Sequence, residues 1–266
     1  MNTKPEDFTG KQLELATKKL WKKLVIREGL TPVETPQGYF IGGQPGAGKS
    51  SSIDRIRNDH GKNFLEVNVD DYRQHHPNFA KIQEKYGDNS PAYTNAFADA
   101  VRDNLVKKAL EERINVSVEG TMKTLESTQK RLDEFKNSGY GVNVIVQTCN
   151  PALSRYGIQK RYDDAVKLGQ TPRDVPIEFH DKCVYALKNN VDKIMQNNPE
   201  AKFEMWERTV QGDNKQVFPP QNKQDIKPSE VLKDIFNPTK QYAVKRELEK
   251  SAENTQGVKK SKGYSR

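Results

Sequence analysis

Gly43-Gln44-Pro45-Gly46-Ala47-Gly48-Lys49-Ser50 is the stretch on which the reading of this chain turns. It fits the spacing G-x-x-x-x-G-K-[ST] of a phosphate-binding P-loop. Glycines let the backbone curl until successive amides point at phosphate oxygens. A helix that starts directly after the loop adds its unpaired N–H groups and the positive end of its dipole. The pattern predicts that Gly43, Gln44, Pro45, Gly46, Ala47, Gly48, Lys49, Ser50 and Ser51 form a site for ATP with Mg²⁺. Lys49 is expected to reach the β- and γ-phosphates, and the Ser50 hydroxyl to be the metal ligand.

The flanks supply the context the motif needs. Gly38-Tyr39-Phe40-Ile41-Gly42 reads as a short apolar strand running into the loop, and Ser50 to Asn58 as a helix leaving it. Downstream the pattern alternates. Strands are predicted at Phe64 to Val69, Ile114 to Val118, Val142 to Thr148 and Phe203 to Trp206. Helices are predicted at Tyr93 to Arg113, Leu125 to Asn137, Pro151 to Leu168, Pro176 to Asn197 and Pro228 to Phe236. Such alternation implies an α/β fold, a P-loop kinase-like parallel sheet covered by helices on both faces. Ligands of such sheets sit at the carboxyl ends of the strands. Gly43, Asp70, Glu119 and Asn150 all fall at or just past a predicted strand end.

Before the first strand, Leu13, Ala16, Leu20 and Leu24 recur at helical spacing, which predicts an amphipathic helix. Packing is its simplest role, with a docking surface or an internal cover for the site as the others. The expected organisation is a helical N-terminal extension over 1–36, a P-loop kinase domain over 37–236 and a basic, mobile tail over 237–266. The tail holds Lys240, Lys245, Arg246, Lys250, Lys259, Lys260, Lys262 and Arg266, and so much of the net charge of +8. A solvated end accounts for that cluster better than a nucleic-acid arm. The 2 cysteines, Cys149 and Cys183, have no metal-ligand spacing, and no apolar run approaches a signal peptide or a membrane span. A cytoplasmic protein without a membrane partner is expected.

A P-loop names the phosphate donor and leaves the acceptor open. Asp70 and Asp71 follow a predicted strand, and either could take the proton of an attacking hydroxyl, one residue of register deciding between them. Glu119-Gly120-Thr121 ends another strand with a carboxylate and a hydroxyl that could hold a substrate. With Asp70-Asp71-Tyr72-Arg73-Gln74-His75-His76-Pro77, Arg161-Tyr162, Arg173 and His180-Asp181, these blocks resemble the zeta toxins of epsilon/zeta-type toxin–antitoxin systems, which are P-loop kinases. The resemblance spans roughly Tyr39 to Trp206.

The resemblance implies transfer of the γ-phosphate of ATP to a sugar hydroxyl of UDP-N-acetylglucosamine or a related UDP-sugar, which inhibits cell-wall synthesis. It makes Asp70 the catalytic base, Arg161 and Arg173 the pair of γ-phosphate arginines, and Glu119 and Thr121 substrate-holding groups. Asp99 stands where the family has a sugar-contacting glutamate, and Met122-Lys123 replaces a frequent glycine and arginine, leaving Lys123 as a point charge near the substrate. The resemblance also implies a small antitoxin that blocks the nucleotide site. Other classes open to a P-loop protein are kinases for an antibiotic, a nucleoside or a nucleic-acid end, and ATP-dependent switches.

Overall fold

The structure, a computed structural model, describes residues 4–169, 172, 174–222, 225–241 and 243–249. The chain opens with α1 (Gly10–Trp21), whose capping box is built by Thr9 and Gln12, and widens into a π-helical turn at Lys22–Ile26. Its stripe of Ala16, Leu20, Trp21 and Val25 is buried in the main core. The next elements are β1 (Gln37–Gly42), α2 (Ser50–His60), β2 (Leu65–Val67), α3 (Val69–Tyr72), α4 (Phe79–Tyr86), α5 (Ser90–Glu111) and β3 (Val116–Glu119). They are followed by α6 (Leu125–Asn137), β4 (Gly141–Thr148), α7 (Pro151–Lys167), α8 (Ile177–Asn197), β5 (Lys202–Arg208), β6 (Asn214–Phe218) and α9 (Pro228–Ile235).

The strands form one sheet in the order β2-β3-β1-β4-β5-β6. The first five run parallel, with Phe40 of β1 facing Val118 of β3 and Val144 of β4. β6 returns antiparallel beside β5 through a turn in which Thr209 N–H donates to Asp213 O at 2.8 Å. Because β1 lies between β3 and β4, successive crossovers leave it in opposite directions. That reversal opens a crevice at the carboxyl edge, where a ligand fits.

Helices cover both faces. On one face α1, α5, α6, α8 and α9 bury Leu20, Val101, Leu105, Phe135, Leu187, Val191 and Leu232 against the sheet. Each such side chain contributes roughly 1.5–3 kcal/mol on leaving water. On the other face α2 lays Ile53 and Ile56 on Tyr39, Ile41 and Ile145. A third cluster at the carboxyl edge joins Ala47, Cys149 and Leu153 to Val210, Val244 and Leu248. The last two belong to helical turns at 238–241 and 243–249, in a segment that the sequence reading treats as a mobile tail.

Several boundaries differ from the sequence reading. The second strand stops at Val67 because the Asn68 side chain accepts from the Asp70 N–H and caps α3. α4 and β6 were not expected. α4 buries only Ile82 fully, and β6 has apolar residues only at Val217 and Phe218, so neither shows a strong period. Among the described residues no helix is long and apolar enough to cross a membrane.

Candidate active site

The loop after β1 is shaped by three glycines with left-handed backbone, Gly43, Gly46 and Gly48, at φ 147°, 75° and 89°. At two of them a side chain has no room. A Cβ on Gly43 would lie 1.9 Å from the Gln147 carbonyl oxygen, and one on Gly46 would lie 2.1 Å from that of Ser154. The loop is thus drawn tight between the end of β4 and the first turns of α7. Lys49 Nζ donates to the Gly43 carbonyl at 3.4 Å, so its ammonium lies over the loop. Ser50 opens α2 and is exposed.

The remaining loop side chains turn into the protein. Ser51 Oγ donates to the Gly48 carbonyl at 2.9 Å and to Gln147 Oε1 at 3.3 Å. Gln44 is fully buried, its Nε2 donating to the Cys149 carbonyl at 2.7 Å and its Oε1 accepting from Thr148 Oγ1 at 3.1 Å. Ala47 is buried with Cys149 and Leu153, and Pro45 is half-buried.

Across the crevice, the short α3 carries both candidate bases. Asp70 Oδ1 accepts from Arg73 Nε at 3.1 Å, and Arg73 is itself anchored to α5 by donating to the Pro91 carbonyl at 2.7 Å and Thr94 Oγ1 at 3.3 Å. Asp71 is exposed; partial burial raises its carboxyl pKa, against the pull of Lys23 and His75. Asp99 pairs with Arg102 at 2.7 Å and also acts on the Arg73 guanidinium.

Glu119 ends β3 in the field of Lys49. Burial raises its pKa, opposed most by Lys49 and further by Arg161, while Glu66 and Asp71 reinforce the rise. Glu119, Thr121 and Met122 line a cleft of about 220 Å³ whose floor includes Thr128 and Arg131. Burial raises the pKa of the Cys183 thiol, against the pull of Thr121, Lys123 and Lys49. Lys123 Nζ stands 4.8 Å from the centre of the Phe179 ring, and Asn190 Nδ2 donates to the carbonyls of Met122 and Lys123 at 3.0 and 3.2 Å. The turn is therefore tied to α8.

Arg161 projects from α7 and is exposed, within electrostatic reach of Glu119. Its helix is pinned to α8 by a buried pair, Ser154 Oγ and His180 Nε2 at 2.7 Å, continued by His180 Nδ1 to Asp181 Oδ1 at 2.8 Å and by Arg155 to Asp181 at 2.6 Å. Tyr162 Oη donates to Asp88 Oδ2 at 3.2 Å and so links α7 to the turn before α5. Arg173 lies outside the described residues.

Lys49 and Arg161 thus both act electrostatically on Glu119, Asp70 is bonded to Arg73, on whose charge Asp99 also acts, and Lys123 is held beside α8 by Asn190 and Phe179. Two residues to which the sequence reading gave no role belong to this region. Arg73 is inside a quoted block, and its local i,i+3 spacing to Asp70 was the available signal. Arg208, at the end of β5, touches the phosphate loop and carries no local signal at all.

Toxin PezT of Streptococcus pneumoniae serotype 4 is 29% identical over 205 residues, 76% of this chain and 80% of that protein. Toxin zeta of Streptococcus pyogenes is 23% identical over 236 residues, 87% of this chain and 79% of its own length. A solved chain from the PezAT chromosomal toxin–antitoxin system of Streptococcus pneumoniae superposes with a TM-score of 0.79 at 22% identity, covering 95% of this chain and 98% of that one. The Zeta toxin family model matches residues 23–223, a span that contains the loop, both acidic strand ends and Arg161, and on that match the chain belongs to the Zeta toxin family.

Proposed function

We propose that this chain is a toxin kinase that transfers the γ-phosphate of ATP to a sugar hydroxyl of UDP-N-acetylglucosamine or a related UDP-sugar. The observation that carries the reading is the phosphate loop itself, in which Gly43, Gly46 and Gly48 take left-handed backbone and Lys49 Nζ donates to the Gly43 carbonyl, with the cleft of Glu119 and Thr121 at the end of the neighbouring strand β3. The concave loop made by Gly43, Gly46 and Gly48 suits a polyphosphate, and the exposed Ser50 hydroxyl is a hard oxygen donor of the kind Mg²⁺ takes. Mg²⁺, when bound, neutralises charge on the phosphate oxygens.

In this reading Asp70 accepts the proton of the acceptor hydroxyl, and Arg73 orients the carboxylate that does so. Lys49 and Arg161, joined by Arg173, meet the charge spread over the transferring group, where rigid guanidinium forks are effective. Glu119, Thr121, Asp99 and Lys123 hold the sugar and its diphosphate. Such an activity inhibits cell-wall synthesis from the cytoplasm, and a small antitoxin that blocks the nucleotide site would restrain it.

The test is direct. Protein, ATP and Mg²⁺ are incubated with a panel of UDP-sugars, and mass spectrometry reads the gain of one phosphate. Transfer to none of them removes this substrate class. Asp70→Asn should lower kcat by about 10²–10⁴-fold while ATP affinity stays within about twofold, as expected for loss of a general base. Unchanged turnover would remove Asp70 from that role.

A further inference from the structure

Arg208 stands at the last position of β5, opposite Asn214 of β6, outside every block that marks the phosphate site in the sequence. Its guanidinium nevertheless reaches the loop. Nη2 donates to the Gly46 carbonyl at 2.8 Å, and Nε donates to the Ala47 carbonyl at 3.2 Å. The side chain packs against the loop, its Cδ 3.0 Å from where a Cβ of Gly48 would stand. Nη2 also lies 3.7 Å from Cys149 Sγ. Burial pushes that thiol up to about 11, so the neighbouring sulfur stays neutral.

The planarity of the peptide gives these contacts a consequence. In a trans peptide the C=O and the following N–H point in opposite directions. The carbonyl of Gly46 shares a peptide plane with the Ala47 N–H, and the carbonyl of Ala47 shares one with the Gly48 N–H. Holding both oxygens outward turns both amides toward the concave side. The Ala47 N–H donates to the Gln44 carbonyl at 3.2 Å and closes the turn, which leaves the Gly48 N–H as the amide that Arg208 orients for a phosphate oxygen. The same contacts keep two carbonyl oxygens, which would repel an anion, out of the cradle.

A fork of two charged donors at fixed separation matches two successive carbonyls, and a single ammonium does not. Gln44 braces the loop as well, its amide spanning Thr148 and Cys149 at the end of β4. The loop is therefore held from outside by the last residues of β4 and β5.

From this geometry we infer that Arg208 is a positioning residue for nucleotide binding, one that sets the peptide planes of the phosphate loop without touching the nucleotide's phosphates. The inference rests on the loop being the ATP site. Two variants of the full chain test it: Arg208→Gln removes the charge and the fork, and Arg208→Lys keeps the charge and the alkyl stem without the fork. In the nucleotide-free protein, hydrogen–deuterium exchange over residues 43–52 should quicken several-fold in both, while peptides from β3 and α5 keep their protection.

ATP affinity, read by isothermal titration, should fall about tenfold or more in Arg208→Gln and by less in Arg208→Lys, the scale of losing hydrogen bonds from a charged donor. If Arg208→Gln does not fold, Arg208→Lys is read by itself. Unchanged loop exchange overturns the inference, and so does faster exchange with unchanged ATP affinity, which would leave Arg208 a strut. Failure of the unaltered protein to bind ATP would instead count against the proposed function, while the exchange arm still decides whether Arg208 braces the loop.

Discussion

Glu119 ends its strand half-buried and in the field of Lys49, and burial outweighs that attraction in setting its pKa. Because the folded value is raised above the unfolded one, the native state holds the proton more tightly. The resulting stability is complete below the ordinary glutamate pKa and is lost as pH rises through the folded value. At pH 7 the ionised carboxylate is therefore a cost to the fold, kept where the acceptor would bind. Glu119→Gln should raise Tm at pH 7, with the gain closing as pH falls through the ordinary glutamate range. A gain that does not change with pH would count against this account.

Lys49 and Ser50 were legible at this scale because their setting is contiguous in sequence. Arg208 was not, since its acceptors lie 161 and 162 positions away and only the sheet brings them together. Thr121 and Lys123 were singled out in sequence, but the ties of Lys123 to Asn190 and Phe179 depend on where α8 packs.

Among elements, the contact of β1 with α6 is the tightest test of packing. A Cβ on Gly38 would come within 2.6–2.9 Å of the Phe135 ring, which is fully buried and has no room to withdraw. Gly38→Ala should cost about 1–3 kcal/mol by overpacking, read as a lowered urea midpoint with an unchanged slope. A wild-type midpoint would mean that the ring yields. The helices and strands that sequence periodicity located are those with strong apolar patterns, such as β4 and α8, whose inner faces are continuous. α4 and β6 escaped because their order comes from neighbours: Ile82 is covered by other elements, and β6 is held by its register with β5.

For the whole molecule, the alternation of strands and helices was enough to give the layered architecture, whereas the role of the N-terminal helix needed the tertiary structure. α1 shares a core with α5 and the sheet, burying Leu20, Trp21 and Val25, and Asn104 of α5 reaches Thr17 at 3.5 Å. Residues 4–8 extend the same attachment, with Phe8 edge-on to Phe97 at 5.2 Å and His76 Nε2 paired with the Glu6 carbonyl at 3.2 Å. A chain lacking the residues before Thr35 should therefore unfold at a clearly lower temperature and show no gain in phosphoryl transfer. Higher specific activity at unchanged Tm would instead favour the helix as a removable cover.

The outermost strands are short. β2 has 3 residues and β6 has 5, the latter followed at once by Pro219. A margin this brief presents few unpaired backbone groups, and proline withholds a donor where pairing would continue. Edge-to-edge stacking into fibrils thus has little template to start from, so highly concentrated folded protein should remain dispersed until heat or denaturant first opens the sheet.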